Sequence, residues 1–319
     1  VSSLLTASDM FAGTAISDDN YSQFLINIGK QATSATVQTG VSLTNTPAFY
    51  ITGVAAQVRS LLVSPTGSGG FNWTISDDGL KPGLPVPGFF FSVDTNNTEA
   101  GSSANNQYRL PLMSTAVYDL YVTWGDGTSD FINTWNQTEA THTYASGPGI
   151  YNVTVLTASV SPLVLIENIS WVSQDGTTGT TANDRLKLLS IGGFRDVSFD
   201  LSKPIFSTCV NMSITALSNF VPQFSNKNMG QGFFSLCTNF TGNISGWGSL
   251  GSPITGSAAS LLQSSSNANP NVNFISQFTT VSSAFFNATI FNNPLDNWNI
   301  SGVSSLQNVF RNAPVFNQD

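Results

Sequence analysis

The chain has 319 residues, of which 40% are hydrophobic and only 9% are charged, against roughly 25% charged in an ordinary soluble domain. Its formal net charge is −8, with ten Lys and Arg and no basic cluster, which argues against nucleic acid or anionic membrane as a partner. No apolar run approaches the roughly 18 residues of a membrane span, so none is predicted. Polarity comes instead from 43 Ser, 33 Thr and 31 Asn, a balance typical of β-rich extracellular surfaces.

Residues 1–80 contain two predicted helices and one predicted strand. The first helix begins after an N-cap at Ser17 and runs to Gln31, and the second covers Val54–Val63. Phe71–Ile75 is strand-like, and a Pro/Gly linker at 81–88 predicts a domain boundary.

Two acidic pairs in this segment suggest either structural roles or a carboxylate site. Asp18 and Asp19 are interpreted as a helix start, and Asp77 and Asp78 as a turn before Gly79. A hydrolase dyad or a calcium site is the alternative interpretation of each pair.

Residues 89–165 are predicted to form a β-sandwich. Tyr118–Trp124 and Tyr151–Val155 alternate apolar and polar residues with period two, as strands with one buried face do. Gly125-Asp126-Gly127 predicts a turn. Residues 166–200 are a predicted connector and solenoid entry.

Residues 201–319 contain an internal repeat of about 25 residues, whose short signature is Phe-x-x-(Cys/Ala)-x-x-(Phe/Met). The signature starts at Phe206, Phe234, Phe285 and Phe310, and the 51-residue interval predicts one degenerate copy near Leu261. Apolar residues at helical spacing, as in 303–310, predict one short helix and one extended piece per unit. Such units cannot bury an apolar face alone, so they are predicted to stack into a solenoid.

Catalysis and cofactors are predicted to be absent. His142 is the only histidine, and the chain has no nucleophile elbow and no phosphate-binding loop. Asp126 is a candidate calcium ligand, and a turn aspartate bonded to its own backbone is the favoured alternative.

The two cysteines, Cys209 and Cys237, occupy equivalent positions of successive repeat copies. Neighbouring strands stack about 4.8 Å apart, within the Cα separation that a disulfide tolerates. A Cys209–Cys237 disulfide is therefore predicted, with a pair of buried free thiols as the alternative.

The chain also carries eleven Asn-x-Ser/Thr sequons, a small excess over what its composition predicts, and these are candidate glycosylation sites. They are Asn20, Asn72, Asn96, Asn136, Asn152, Asn168, Asn211, Asn239, Asn243, Asn287 and Asn299. Asn152 alternates with Tyr151 and Val153, so its side chain is expected to point outward.

Two parts of this chain resemble known protein families. Trp124-Gly125-Asp126-Gly127, His142-Thr143-Tyr144 and Gly149-x-Tyr151-x-Val153 resemble the motifs of a polycystic kidney disease (PKD) domain. The repeat, with Phe291-Asn292-Asn293-Pro294-Leu295-x-x-Trp298, resembles BspA-like leucine-rich repeats of surface proteins, in which a PKD-like segment commonly precedes the repeats. Phe194 departs from that family's Trp-Gly pair. The resemblance implies a mostly β fold with short helices, in which an Ig-like sandwich is flanked by two pieces of a leucine-rich-repeat-type solenoid.

Residues 1–80 resemble the closing, capping part of the same solenoid, which predicts a head-to-tail contact between copies. Asp9-Met10-Phe11 aligns with Asn308-Val309-Phe310, and on that alignment a gap of five residues separates Asp319 of one unit from Val1 of the next. The gap is consistent with a filament of separate chains or with one repeat of a giant tandem polypeptide. The predicted interface residues are Val1, Leu4, Met10, Phe11, Phe310 and Phe316.

The predicted function is that of an extracellular structural or surface protein that assembles into a fibre or layer with copies of itself. An adhesin that binds glycans or host or surface proteins is the first alternative. A non-catalytic spacer of a secreted hydrolase is the second.

Overall fold

A computed structural model describes residues 4, 6–32, 37–82, 88–158, 166–167, 169–172, 184–216, 221–248 and 252–318. The described chain is mostly β, with two α-helices and a β-solenoid of about four turns. The predicted linker lies partly outside these residues, as do Val1, Asn168 and Asp319.

The N-terminal segment, residues 4–82, combines two helices with parallel strands. Helix α1 covers Asp18–Ala32, and Ser17 Oγ accepts the N–H of Asn20 at 3.2 Å, which confirms the predicted N-cap. Helix α2 covers Gly53–Val63. Strands β1 and β2 pair in parallel, and an isolated parallel bridge from Thr6 to Ser42 extends the ladder. Their bounds are Ser42–Thr46 for β1 and Thr74–Asp77 for β2.

The middle region, residues 88–158, contributes four strands to a six-stranded sheet and two to a small antiparallel pair, β4–β7. The large sheet has the order β11-β9-β3-β8-β5-β6, in which β9 (Leu188–Phe194) and β11 (Ser213–Ile214) come from the solenoid. Strand β9 pairs antiparallel with β3 and parallel with β11, so the solenoid continues directly from this sheet. The strands of the middle region are β3 Phe89–Asp94, β4 Gln107–Arg109, β5 Leu120–Thr123, β6 Ser129–Ile132, β7 Thr141–Thr143 and β8 Ile150–Thr157.

Strand β5 differs from the expectation of one buried face, because both of its faces are buried. Val122 belongs to the core that the middle region shares with the solenoid. Tyr121 and Leu156 of the neighbouring strand β8 pack in a second core with the N-terminal segment. Alternate side chains of the strand therefore face two different apolar cores, because the N-terminal segment covers the outer face of the sheet.

The solenoid, residues 184–318, is built from short parallel strands. One ladder runs β13-β14-β15-β16, and β10 pairs in parallel with β12. The strands are β9 Leu188–Phe194, β10 Ser198–Asp200, β11 Ser213–Ile214, β12 Gln223–Asn226, β13 Asn228–Met229, β14 Ile254–Ser257, β15 Ser276–Thr280 and β16 Trp298–Asn299. Strand β16 is the edge of its sheet in the described chain.

The short helices predicted in each repeat are wrong for the described solenoid residues. Where apolar residues recur at helical spacing, as in 281–288 and 306–313, the backbone forms turns. The degenerate copy expected near Leu261 is present, because the turn at residues 259–264 lies between the turns at 231–236 and 282–287.

Candidate assembly surface at the last solenoid turn

A six-residue turn with two left-handed residues is the repeated unit of the solenoid. The turns cover residues 231–236, 259–264, 282–287 and 307–312. The second and sixth residues of each turn have positive φ, as in Asn308 at 56° and Asn312 at 58°. Asn tolerates this conformation because its short polar side chain can hydrogen-bond locally.

Consecutive turns are joined by a regular backbone ladder. The N–H groups of the second, fourth and sixth residues donate to the carbonyls of the first, third and fifth residues of the next turn. Between the last two turns these bonds are Ser283 to Gln307, Phe285 to Val309 and Asn287 to Arg311, at 2.9 to 3.0 Å. The same pattern joins the turns at 231–236, 259–264 and 282–287.

Phenylalanine rings stack along the last two turns. Phe285 lies on Phe310 with centroids 5.3 Å apart and ring planes 3° apart, and Phe291 lies on Phe316 at 5.9 Å. Phe310 and Phe316 stack on each other at 4.0 Å. The structure therefore brings together two of the predicted interface residues.

Among the described residues, the apolar side chains of turn 307–312 are more exposed than those of the turn before it. Phe310 is 37% exposed, whereas Phe285, its equivalent one turn earlier, is 0% exposed. Leu306 is 61% exposed, whereas the equivalent Val281 is 2% exposed. These side chains line a groove of ≈ 360 Å³ together with Trp298, Ile300 and Phe316. An apolar groove at the end of a stack is a typical interaction surface.

The predicted N-terminal partners lie elsewhere in the same chain. Residues 8–13 form a six-residue turn in which Asp9 and Gly13 have positive φ, at 59° and 70°. Met10 is 49% exposed, and the ring of Phe11 packs edge-on against Phe24 at 5.1 Å. Leu4 packs with the second core. Within one chain these residues do not share a cluster with Phe310 or Phe316.

Both cysteines are buried free thiols in the structure, so the predicted disulfide is not formed in it. The Cys237 thiol instead donates to the carbonyl oxygen of Phe206 at 2.9 Å. Burial raises the pKa of both thiols, and that of Cys237 rises to about 12. The two thiols therefore lack thiolate character at neutral pH.

His142 and Asp126 form one local cluster in the middle region. His142 Nε2 lies 2.9 Å from Asp126 Oδ2 and 3.5 Å from Thr128 Oγ1, and its ring stacks on Trp124 at 4.7 Å. Partial burial raises the pKa of Asp126, but hydrogen bonds from Thr128 and His142 outweigh it and hold this pKa below its usual range. A catalytic relay needs the carboxylate and the hydroxyl on different ring nitrogens, and here both contact Nε2.

Three of the acidic candidates, Asp18, Asp77 and Asp126, are engaged in structural contacts. Asp126 Oδ1 accepts the N–H of Thr128 at 3.0 Å, the geometry expected of a turn aspartate. Asp18 pairs with Lys81, and the carboxylate of Asp77, whose side chain is 0% exposed, accepts from Arg59 and from Tyr21. No group of three or more His, Cys, Asp or Glu able to hold a metal occurs among the described residues.

Most sequons of the described chain lie at the surface. Asn211 and Asn287 are half-buried, and Asn211 Nδ2 donates to the carbonyl of Leu186 at 2.8 Å. Asn152 is exposed on β8, between the half-buried Tyr151 and the buried Val153. The other exposed sequons are Asn20, Asn72, Asn96, Asn136, Asn239, Asn243 and Asn299.

A buried ion pair that sequence reasoning missed joins the middle region to the solenoid entry. Lys187 is fully buried, and its Nζ lies 3.6 Å from Asp184 Oδ1. The ammonium also donates to the carbonyls of Ser103, Ala104 and Gln107 at 2.8 to 3.0 Å. The one available signal was the presence of charges in Asp-Arg-Leu-Lys, within a chain that has few.

Comparisons with known proteins match only the repeats. A family model described as a Mycoplasma protein of unknown function, DUF285, matches residues 227–319, which are less than a third of the chain. No leucine-rich-repeat, BspA-like or PKD model matches. No curated protein and no solved structure matches the chain. Neither of the two described helices is long and apolar enough to span a membrane.

Proposed function

We propose that this chain is an extracellular structural or surface protein that assembles head-to-tail with copies of itself into a fibre or surface layer. The observation that carries the proposal is the regular stacking of the solenoid turns, in which the same three backbone hydrogen bonds join each turn to the next, so that a unit from another copy would be able to stack in the same way. Stacked repeats are stabilised by the packing of each repeat on its neighbours.

The finer architecture belongs to the same proposal. The middle region is a PKD-like sandwich, supported by the stacking of Trp124 on His142 and by the Tyr144 hydroxyl, which donates to the Trp124 carbonyl at 3.2 Å. The solenoid is BspA-like, supported by the 23- to 28-residue spacing between Gly232, Ser260, Ser283 and Asn308, the second residues of its turns. The many exposed Asn, Ser and Thr side chains and the scarcity of charge support an extracellular location.

Sedimentation velocity over a range of protein concentrations tests self-assembly. Leu306→Asp places a charge in the groove, and because burial of a leucine contributes about 1.5–3 kcal/mol, the dissociation constant should rise at least about tenfold. Val117→Asp is the matched control, because Val117 is a loop residue that is 90% exposed and lies outside the groove. A wild-type chain that remains monomeric at every concentration, or equal effects of the two variants, contradicts the proposal.

A second candidate function is that of an adhesin. A cleft of ≈ 420 Å³ between α2 and the turn at 125–128, with the start of β6, is lined by hydroxyl groups, including those of Ser60, Ser64 and Ser129. Hydroxyl-rich clefts suit sugar ligands, which present many donors and acceptors. A glycan array tests this candidate, with Ser64→Val as the variant expected to lose any specific signal.

A further inference from the structure

An aromatic side chain lies exposed on an interior strand of the six-stranded sheet. Phe90, the second residue of β3, is 47% exposed, whereas its neighbours Phe89 and Phe91 are each 2% exposed and pack in the core. Strand β3 is interior because it pairs with β8 on one side and with β9 on the other. The apolar surface of this ring therefore faces water, which is unfavourable unless something covers it.

The backbone of β9 supports the Phe90 ring from below. Phe90 pairs with Gly193, and its ring occupies the space above Gly192 and Gly193. A Cβ atom at either glycine would overlap carbon atoms of the ring, so the ring can adopt this position only over a glycine pair. An aromatic ring that shields glycines in a sheet has a structural role. That role accounts for the covered side of the ring and leaves the exposed side unexplained.

A sequon lies beside the ring on the neighbouring strand β8. Thr154, the last residue of Asn152-Val153-Thr154, is the direct cross-strand partner of Phe90, and Asn152 is the partner of Ser92. Directly paired residues lie on the same face of a sheet, as do residues two apart on one strand, so these four side chains share the outer face. Phe90 and Asn152 are diagonal neighbours, about 7–8 Å apart, a distance that an aromatic or long side chain spans.

The Asn152 side chain is accessible for modification. It is exposed, and its amide forms no hydrogen bond with the rest of the described chain. The sequon residue Asn211, in contrast, is half-buried, and its amide donates to the carbonyl of Leu186. On the side away from Phe90, the backbone of Gly125 lies against that of Asn152 and carries no side chain that could cover it. A sugar attached to Asn152 therefore has room on the sheet face.

The surface next to Asn152 suits the first sugar of an N-linked glycan. That sugar is a pyranose, whose ring C–H groups form an apolar face with partial positive charge. The face of an aromatic ring is negative, so it attracts such C–H groups. The hydroxyls of Ser92 and Ser190, 2.6 Å apart, lie on the same face of the sheet. A hydroxyl has two acceptor lone pairs and one donor, so this pair can still accept from the hydroxyl or amide donors of the sugar.

We propose that Asn152 is N-glycosylated and that the first sugar of its glycan stacks on the ring of Phe90. This inference rests on the extracellular location in the proposed function, and it does not depend on self-assembly. The occupant is a sugar attached to the chain rather than a free saccharide, because attachment two residues along the sheet gives a high effective concentration at the ring. The glycan then covers the exposed side of the ring, and the glycine pair covers the other.

Enzymatic removal of the glycan from the native protein tests the stacking. The chain is secreted from a host that attaches N-linked glycans and is treated with a peptide N-glycosidase, which cleaves the bond between Asn and the first sugar. Peptide mass spectrometry follows release at each sequon. Release from Asn152 should be about tenfold slower in the wild type than in Phe90→Ser, because the enzyme reaches the bond only when the sugar has left the ring. Asn243, an exposed sequon residue of the solenoid, is the matched control site, at which the two proteins should not differ.

Two further variants separate stacking from general loosening of the sheet. Phe90→Tyr keeps an aromatic face and should retain slow release, whereas Phe90→Leu keeps apolar bulk without that face and should release as fast as Phe90→Ser. Proton NMR gives a direct readout, because C–H protons of a sugar over an aromatic ring shift upfield, and this shift should be absent in Phe90→Leu.

Three results overturn the proposal. They are a secreted chain without a glycan at Asn152, equal release from Asn152 in the wild type and Phe90→Ser, and release that accelerates equally at Asn152 and Asn243. Sedimentation of the same secreted chain shows separately whether self-assembly stands.

Discussion

Replacement of Lys187 by Met should destabilise the fold strongly, although the residue does not line the groove of the proposed interface. The substitution removes a buried ammonium and leaves the carbonyls of Ser103, Ala104 and Gln107 without their donor. Asp184 remains as a buried carboxylate without its counter-ion. A broken buried ion pair costs about 3–5 kcal/mol, so we expect the free energy of unfolding to fall by that amount.

Urea unfolding, followed by far-UV circular dichroism, measures this loss. Lys203→Met is the control, because Lys203 is exposed and surface substitutions usually change stability by no more than about 0.5 kcal/mol. A loss below about 1 kcal/mol for Lys187→Met would refute the inferred importance of the network.

The wild type and Lys187→Met should also differ in how their stability depends on pH. Burial lowers the pKa of Lys187, so between that lowered pKa and about 10.4 the unfolded chain binds more protons at this residue than the folded chain. The stability of the wild type relative to Lys187→Met should therefore rise with pH across this window. A difference in stability that is flat with pH would contradict the assignment.

The remaining predictions concern packing, thiols, tyrosines and glycans. Phe285→Ala should lower the free energy of unfolding by about 3–5 kcal/mol, and Phe310→Ala by clearly less in the monomer, because only Phe285 is fully buried; equal losses in urea unfolding would argue against an open last turn. Cys237, whose thiol has a pKa of about 12, should not react with a thiol reagent in the native protein and should react once denatured. Burial raises the pKa of Tyr118 to about 12, so its contribution to stability is full below about pH 10 and is lost as the pH rises through 12; tyrosinate absorbance should therefore rise together with alkaline unfolding. In a glycosylating host Asn152, which is exposed, should carry a glycan that Asn152→Gln removes, as peptide mass spectrometry would show.

The sequence predicted the repeat better than it predicted the local backbone. Phenylalanines that recur along the chain identify the stacked positions, since rings at equivalent positions of neighbouring turns pack on each other, as Phe234 does on Phe206 and Phe310 on Phe285. The spacing of apolar residues inside a copy suggested a helix, because residues three and four apart lie on one helix face. The helix inference is wrong because two residues of each turn have positive φ, which a right-handed helix does not contain. The Asn residues at 287, 308 and 312 were the local signal for such turns, since Asn adopts positive φ more often than most residues.

Features that depend on tertiary contacts had no comparable signal. Lys187 and Asp184 lie three residues apart, but their partner Ser103 is more than 80 residues away in sequence. The burial of Tyr121 follows from the N-terminal segment covering the sheet, which strand periodicity cannot show. In the candidate site, Phe310 and Phe316 follow from the repeat, whereas the hydrogen-bond ladder between turns requires the backbone geometry.

The scarcity of charge follows from the stacked architecture itself. A side chain at a given turn position lies next to its equivalent in the following turn, so charges of one sign would repel along the stack. An amide avoids this conflict because it both donates and accepts. Asn292 Oδ1 accepts the N–H of Asn317, as Asn269 Oδ1 does that of Asn292. Because such residues are self-complementary, each turn can pack against another turn of the same kind, whatever the number of turns.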